Sequence, residues 1–145
     1  MIYLVSNQTE FCPNEFYNLM TEEKSLELLN SWEEIQFDTE TSGRNPHLCK
    51  ILCIQFGHDD IQIVVDCSTI DILAYKNILE TKLLIGQNLK FDLAFLYNHN
   101  IILFFSHLVF LNQLIHQEYT LLVAPHKQLQ LDLLKDHVQP HLHQL

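Results

Sequence analysis

The chain has 145 residues, 48% of them hydrophobic, and its 18 Asp and Glu outweigh 8 Lys and Arg, for a formal net charge of −10 with neutral imidazoles. That length makes one domain spanning residues 1–145, burying roughly two thirds of the surface its unfolded form exposes, enough for a core without disulfides. So few bases exclude a protein that grips long stretches of duplex by neutralising many phosphates. Any contact with nucleic acid is local, and the excess of carboxylates suits a surface that meets a phosphodiester only with divalent cations present.

Cys12, Cys49, Cys53 and Cys67 contain no CxxC pair and are expected as free thiols behaving as small buried hydrophobes. The apolar run that starts at Met1 breaks at Ser6 and has no basic flank, too short for a signal peptide or a membrane span. The expectation is a cytoplasmic protein with no membrane partner.

Residues 2–5 read as a short strand. Thr21 can cap a helix whose first turn holds Glu22 and Glu23, favourable at the positive end of the helix dipole, with Leu26, Leu28 and Leu29 as its apolar face up to Trp32. A strand over 35–40 follows, stopped by the turn residues Ser42, Gly43, Asn45 and Pro46. Strands over 51–56 and 61–66 are joined by the segment from Gly57 to Asp60, read as a hairpin connection. A helix over 71–80, a short buried strand over 83–85 and a helix over 88–98 come next, and 108–115 and 128–138 read as helical. The order predicts an α/β fold, an antiparallel three-strand meander followed by α-β-α, with helices on the faces of a mixed sheet.

Asp38 and Glu40, one residue apart on a strand, project from the same face. Alone, such a pair also fits a solvated sheet end. Gly86 permits a strand-to-helix turn, Asn88 suits an N-cap, and Asp92 lies one helical turn on, where an acid is also favourable for the dipole alone. Three converging carboxylates repel one another unless cations neutralise them, and all-oxygen ligation points to Mg²⁺ or Mn²⁺ rather than zinc.

Residues 37–43, Phe-Asp-Thr-Glu-Thr-Ser-Gly, resemble the first motif of the 3'-5' exonuclease (DEDD) superfamily, and residues 86–92, Gly-Gln-Asn-Leu-Lys-Phe-Asp, resemble the second. The pattern is most similar to the proofreading domain of family A DNA polymerases, with ribonuclease D and the Werner-type exonucleases as relatives, and it covers residues 32–100. The resemblance implies a ribonuclease H-like fold and a site of two metal ions held by Asp38, Glu40 and Asp92. It implies in-line attack of water on the terminal phosphodiester of a single strand, DNA favoured, releasing nucleoside 5'-monophosphates. It places Thr39, Thr41, Asn88 and Phe91 near the terminal nucleotide, and it implies as partners the single-stranded 3' end and a polymerase or other replication or repair protein. A pocket that takes a few unpaired nucleotides needs few bases, which reconciles the acidity with a nucleic-acid substrate.

The family's third motif, Tyr-x-x-x-Asp or His-x-x-x-x-Asp, does not occur in this sequence. The 106–145 stretch resembles the family weakly: His107 stands where an aspartate is usual, and 128–138 is similar to the helix that precedes the third motif. His126 and Asp132 are spaced one residue too far, and Asp132 and Asp136 read as a solvated pair. His137, His141 and His143 read as a frayed end. The chain is therefore expected to be incomplete at its C-terminus. Two readings follow: a 3'-5' exonuclease domain, or a catalytically impaired, truncated remnant acting as a nucleic-acid or protein-binding module.

Overall fold

A computed structural model of the chain describes residues 1–110; the segment expected to be helical at 128–138, and the residues at 126, 132, 136, 137, 141 and 143, lie outside the described residues. The elements are β1 (Ile2–Val5), β2 (Asn18–Leu19), α1 (Glu22–Ser31), β3 (Glu34–Thr41), β4 (Ile51–His58), β5 (Ile61–Asp66), α2 (Lys76–Thr81) after a 3-10 turn over Ile72–Tyr75, β6 (Leu83–Gly86), α3 (Leu89–Asn98), and β7 (Leu108–Phe110) after a 3-10 turn over Phe105–His107. Among the described residues no helix is long and apolar enough to cross a membrane.

Local chemistry accounts for several boundaries. Thr21 Oγ1 accepts a hydrogen bond from the Lys24 N–H at 3.3 Å, so α1 starts at the cap read from sequence, with Glu22 and Glu23 in its first turn. The 71–80 segment starts as a 3-10 turn because the Asp71 carboxylate accepts from the Leu73 N–H and fixes a tighter first turn. The hairpin connection is shorter than expected: β4 runs through Gly57 and His58, and the turn is Asp59-Asp60, with Asp59 taking a φ of 50°. Gly57 packs against Gln36, whose Oε1 would lie 3.0 Å from any added Cβ.

The described strands form one sheet in the order β2-β1-β5-β4-β3-β6-β7. β3, β4 and β5 are the expected antiparallel meander; β1 joins β5 in parallel, and β6 joins β3 in parallel on the other side. One expectation fails at the edge. Residues 108–110, read as the start of a helix, are the strand β7, paired in parallel with β6 through Leu84–Leu108 and Ile85–Val109. A short apolar run carries no period of its own, so a waiting sheet edge decides its state.

One face of the meander is apolar. Phe37 lies opposite Phe56, which lies opposite Ile63, and Ile54 lies opposite Val65. Leu29 of α1, Tyr75, Ile78 and Leu79 of the α2 region, and Phe95 and Leu96 of α3 complete this core. Phe56 stacks on Tyr75 with ring centroids 5.5 Å apart and touches Phe37 at 5.9 Å. The four cysteines are free as expected, but Cys12 is exposed rather than buried, while Cys53 is fully buried.

Candidate active site

Side chains alternate along a strand, so Ile35, Phe37 and Thr39 face the core while Gln36, Asp38 and Glu40 face the other side. Asp38 and Glu40 are both half-buried. Across the ladder Asp38 stands opposite Gln55 and Glu40 opposite Cys53. The register shifts between Glu40 and Thr41, where β4 carries one extra residue, Leu52, opposite the end of β3.

The second part of the site comes from the junction of β6 and α3. A Cβ on Gly86 would stand 2.6 Å from the Phe37 carbonyl oxygen and 2.4 Å from Leu89 Cδ2. Glycine is needed there for the close approach of β6 to β3 rather than for the turn. The left-handed residue is Asn88, with φ 53° and ψ 35°. It occupies the N-cap position, yet its side chain makes no capping bond, contrary to the sequence reading, because left-handed backbone replaces the extended geometry that a side-chain cap uses.

Asp92 sits in the first turn of α3 and is only 2% exposed. Its Oδ1 accepts two hydrogen bonds from Thr39, from the backbone N–H at 3.0 Å and from Oγ1 at 2.5 Å. The reason lies in the sheet. Pairing of β3 with β6 ends at Gln36–Ile85, so the Thr39 N–H lies beyond the last strand partner on that edge, and the carboxylate takes it. Burial pushes the Asp92 carboxyl up to about 6; the Thr39 hydroxyl bond opposes that rise, and the nearby Asp38 charge adds to it. Asp92 is thus brought to the residue between Asp38 and Glu40, and it feels the charge of Asp38.

The other residues singled out by sequence surround this point unevenly. Thr39 is buried with its hydroxyl directed to Asp92. Thr41 Oγ1 donates to the Gly43 carbonyl at 2.7 Å, bracing the loop after β3. Asn88 is exposed, and half-buried Phe91 meets the Phe95 ring at 5.1 Å. Sequence reasoning missed half-buried Gln55, which stands directly across the ladder from Asp38. Its signal was available, because an alternating strand over 51–56 puts a glutamine in register with an acid.

Among the described residues, no three His, Cys, Asp or Glu side chains are already gathered as a metal cage. The donor chemistry nevertheless fits a hard divalent cation. Asp38, Glu40 and Asp92 offer only carboxylate oxygens, and a cation would relieve both causes that raise Asp92, its burial and the Asp38 charge.

Comparison with known proteins follows the same lines. A family model described as 3'-5' exonuclease matches residues 14–137. Over 79 residues, 54% of this chain, the sequence is 32% identical to DNA polymerase I of Aquifex aeolicus, and it spans 13% of that protein. The fold is similar to the Nibbler EXO domain of Aedes aegypti, with a TM-score of 0.57 and 14% identity, covering 81% of this chain and 55% of that one. It is also similar to RNase D of Escherichia coli, an exoribonuclease involved in structured RNA processing, with a TM-score of 0.52 and 18% identity, covering 61% of this chain and 24% of that one. These likenesses fit the ribonuclease H-like α/β architecture, and with a match over most of its length the chain belongs to the 3'-5' exonuclease family.

Proposed function

We propose that the chain removes nucleotides from the 3' end of single-stranded nucleic acid, DNA in preference to RNA, releasing nucleoside 5'-monophosphates. The observation that carries this reading is the double hydrogen bond that draws Asp92 onto the residue between Asp38 and Glu40. Asp38, Glu40 and Asp92 would hold Mg²⁺ or Mn²⁺, which when bound activates the attacking water and neutralises charge on the leaving 3'-oxygen. Thr41, Asn88 and Phe91 border the same strand end and helix start, where a frayed terminal nucleotide can be held by backbone and apolar contacts. Thr39 belongs to this border through its backbone. The match to a segment of DNA polymerase I favours DNA as the strand and a polymerase as neighbour.

The second reading is a catalytically impaired domain that binds nucleic acid or protein without cutting. One assay separates the two. A 3'-labelled oligodeoxynucleotide and its ribonucleotide counterpart are incubated with Mg²⁺ and with Mn²⁺, beside an Asp38→Ala control. The exonuclease reading expects release of labelled 5'-monophosphate, faster from DNA and lost in the control. Equal release by wild type and control overturns it, and binding of the strand without release establishes the impaired binding domain.

A further inference from the structure

We propose that Thr39 is a positioning residue for Asp92, holding one oxygen of that carboxylate so that the other is presented to a divalent cation; this rests on the exonuclease reading above. Thr39 Oγ1 and N both donate to Asp92 Oδ1, 53 residues away in sequence, and neither residue is more than 5% exposed. Hydrogen bonds to a carboxylate are roughly twice as strong as neutral ones, and two donors on one oxygen fix the plane of the carboxyl group as well as its place. Oδ1 is thus engaged by Thr39, and in this role Oδ2 faces the cation.

The placement of Thr39 gives the contact its meaning. It is the middle residue of Asp-Thr-Glu, facing the core, while Asp38 and Glu40 face the other side. The strand that carries two of the acids therefore also grips the third, linking the acids on β3 to the acid on α3. Its hydroxyl points inward, so a contact of that hydroxyl with substrate is not its role. A β-branched side chain has a stiff χ1, which serine lacks, and valine keeps the stiffness but supplies no donor. The side chain thus combines strand preference, a fixed rotamer and an O–H in one residue.

The test uses the full chain with Thr39→Val and Thr39→Ser. Mn²⁺ is titrated calorimetrically without nucleic acid, and release from a 3'-labelled strand is followed as kcat and KM. Thr39→Val is expected to weaken Mn²⁺ binding about ten- to hundredfold and to lower kcat with the KM for the strand unchanged, whereas Thr39→Ser stays within about threefold of wild type. In an Asp92→Asn background, Thr39→Val should add no further loss. If Thr39→Val does not fold, Thr39→Ala and Thr39→Ser read the same hydroxyl, since both lose the methyl and only one keeps the oxygen. Wild-type Mn²⁺ affinity in Thr39→Val, or in Thr39→Ala where that pair is used, overturns the inference and leaves the exonuclease reading standing. A wild-type chain that neither binds Mn²⁺ nor releases label overturns the function, and the inference falls with it.

Discussion

Tyr75 and Ser25 share a hydrogen bond of 2.6 Å between their hydroxyls, inside the core and 50 residues apart in sequence. Ser25 Oγ also donates to the Glu22 carbonyl at 2.6 Å, which uses its only proton, so the Tyr75 hydroxyl is the donor of the pair. Burial pushes the Tyr75 hydroxyl up to about 12.

The two partners are therefore not equivalent. Tyr75→Phe removes a donor and leaves Ser25 bonded to Glu22, at a cost of about 1 kcal/mol. Ser25→Ala leaves the Tyr75 hydroxyl buried without an acceptor and should cost about 2–3 kcal/mol. Urea unfolding of both variants checks the order, and Tyr75→Phe proving the costlier of the two would contradict the donor assignment.

Asp92 makes stability depend on pH in a defined direction. Its carboxyl is raised from an ordinary 3.8 to about 6 in the fold, chiefly by burial. Folding then binds a proton, so this contribution is fully present below about pH 4 and is lost as pH rises through about 6. The shift corresponds to at most about 3 kcal/mol. With cations chelated, the stability difference between wild type and Asp92→Asn should move against wild type between pH 4 and pH 7. A difference that is flat with pH would show that Asp92 titrates normally.

At the far end of β5, Asp66 is 1% exposed and gathers Ser6 Oγ at 2.7 Å, Gln8 Nε2 at 3.2 Å, Thr69 Oγ1 at 3.1 Å, and the Ser68 N–H and Oγ at 3.0 and 2.6 Å. The carboxylate ties the end of β1 to the end of β5. Asp66→Ala removes the shared acceptor, although Gln8 Nε2 keeps Ser68 Oγ and Thr69 Oγ1 keeps the Asp66 carbonyl oxygen, and should cost about 2–3 kcal/mol, with Asp66→Asn losing less because one acceptor oxygen survives. A loss below about 1 kcal/mol in the alanine variant, measured by urea unfolding, would mean water replaces the carboxylate there.

Gly86→Ala tests the joint between β6 and β3. The added methyl meets the Phe37 carbonyl oxygen, which is backbone and cannot swing away, so β6 has to shift. The expected cost is about 1–3 kcal/mol. Because α3 starts three residues later, the shift should also weaken Mn²⁺ binding; unchanged melting and unchanged affinity together would show that the joint has slack.

What was legible in the sequence was local or periodic. The cap at Thr21, the alternation that puts Asp38 and Glu40 on one face, and the meander all follow from neighbours a few residues apart. The two-residue strand β2 and the three-residue β7 exist only through parallel partners far along the chain, and neither run is long enough to show a period. At the site, the acids were readable because their spacing has a geometric meaning, whereas the Thr39–Asp92 bond needed to know where β6 stops. Gly86 was marked correctly as special and for the wrong reason, since sequence shows that a Cβ is missing but not what would collide with it. Asp66 was passed over although Ser68 and Thr69 sit beside it in sequence, because its burial and its partners Ser6 and Gln8 come from the loop after β1.

The pleat of β3 also constrains how this stretch of gene can change. Inserting or deleting a single codon between Phe37 and Glu40 would invert the sidedness of everything on one side of the change. Either the carboxylates would be turned into the hydrocarbon interior or the phenylalanine out to water. Two-codon changes keep the parity, but they carry Thr39 about 7 Å along the strand and away from α3. The Asp-x-Glu interval thus behaves as a fixed reading frame of its own, one in which substitutions can be absorbed and changes of length cannot.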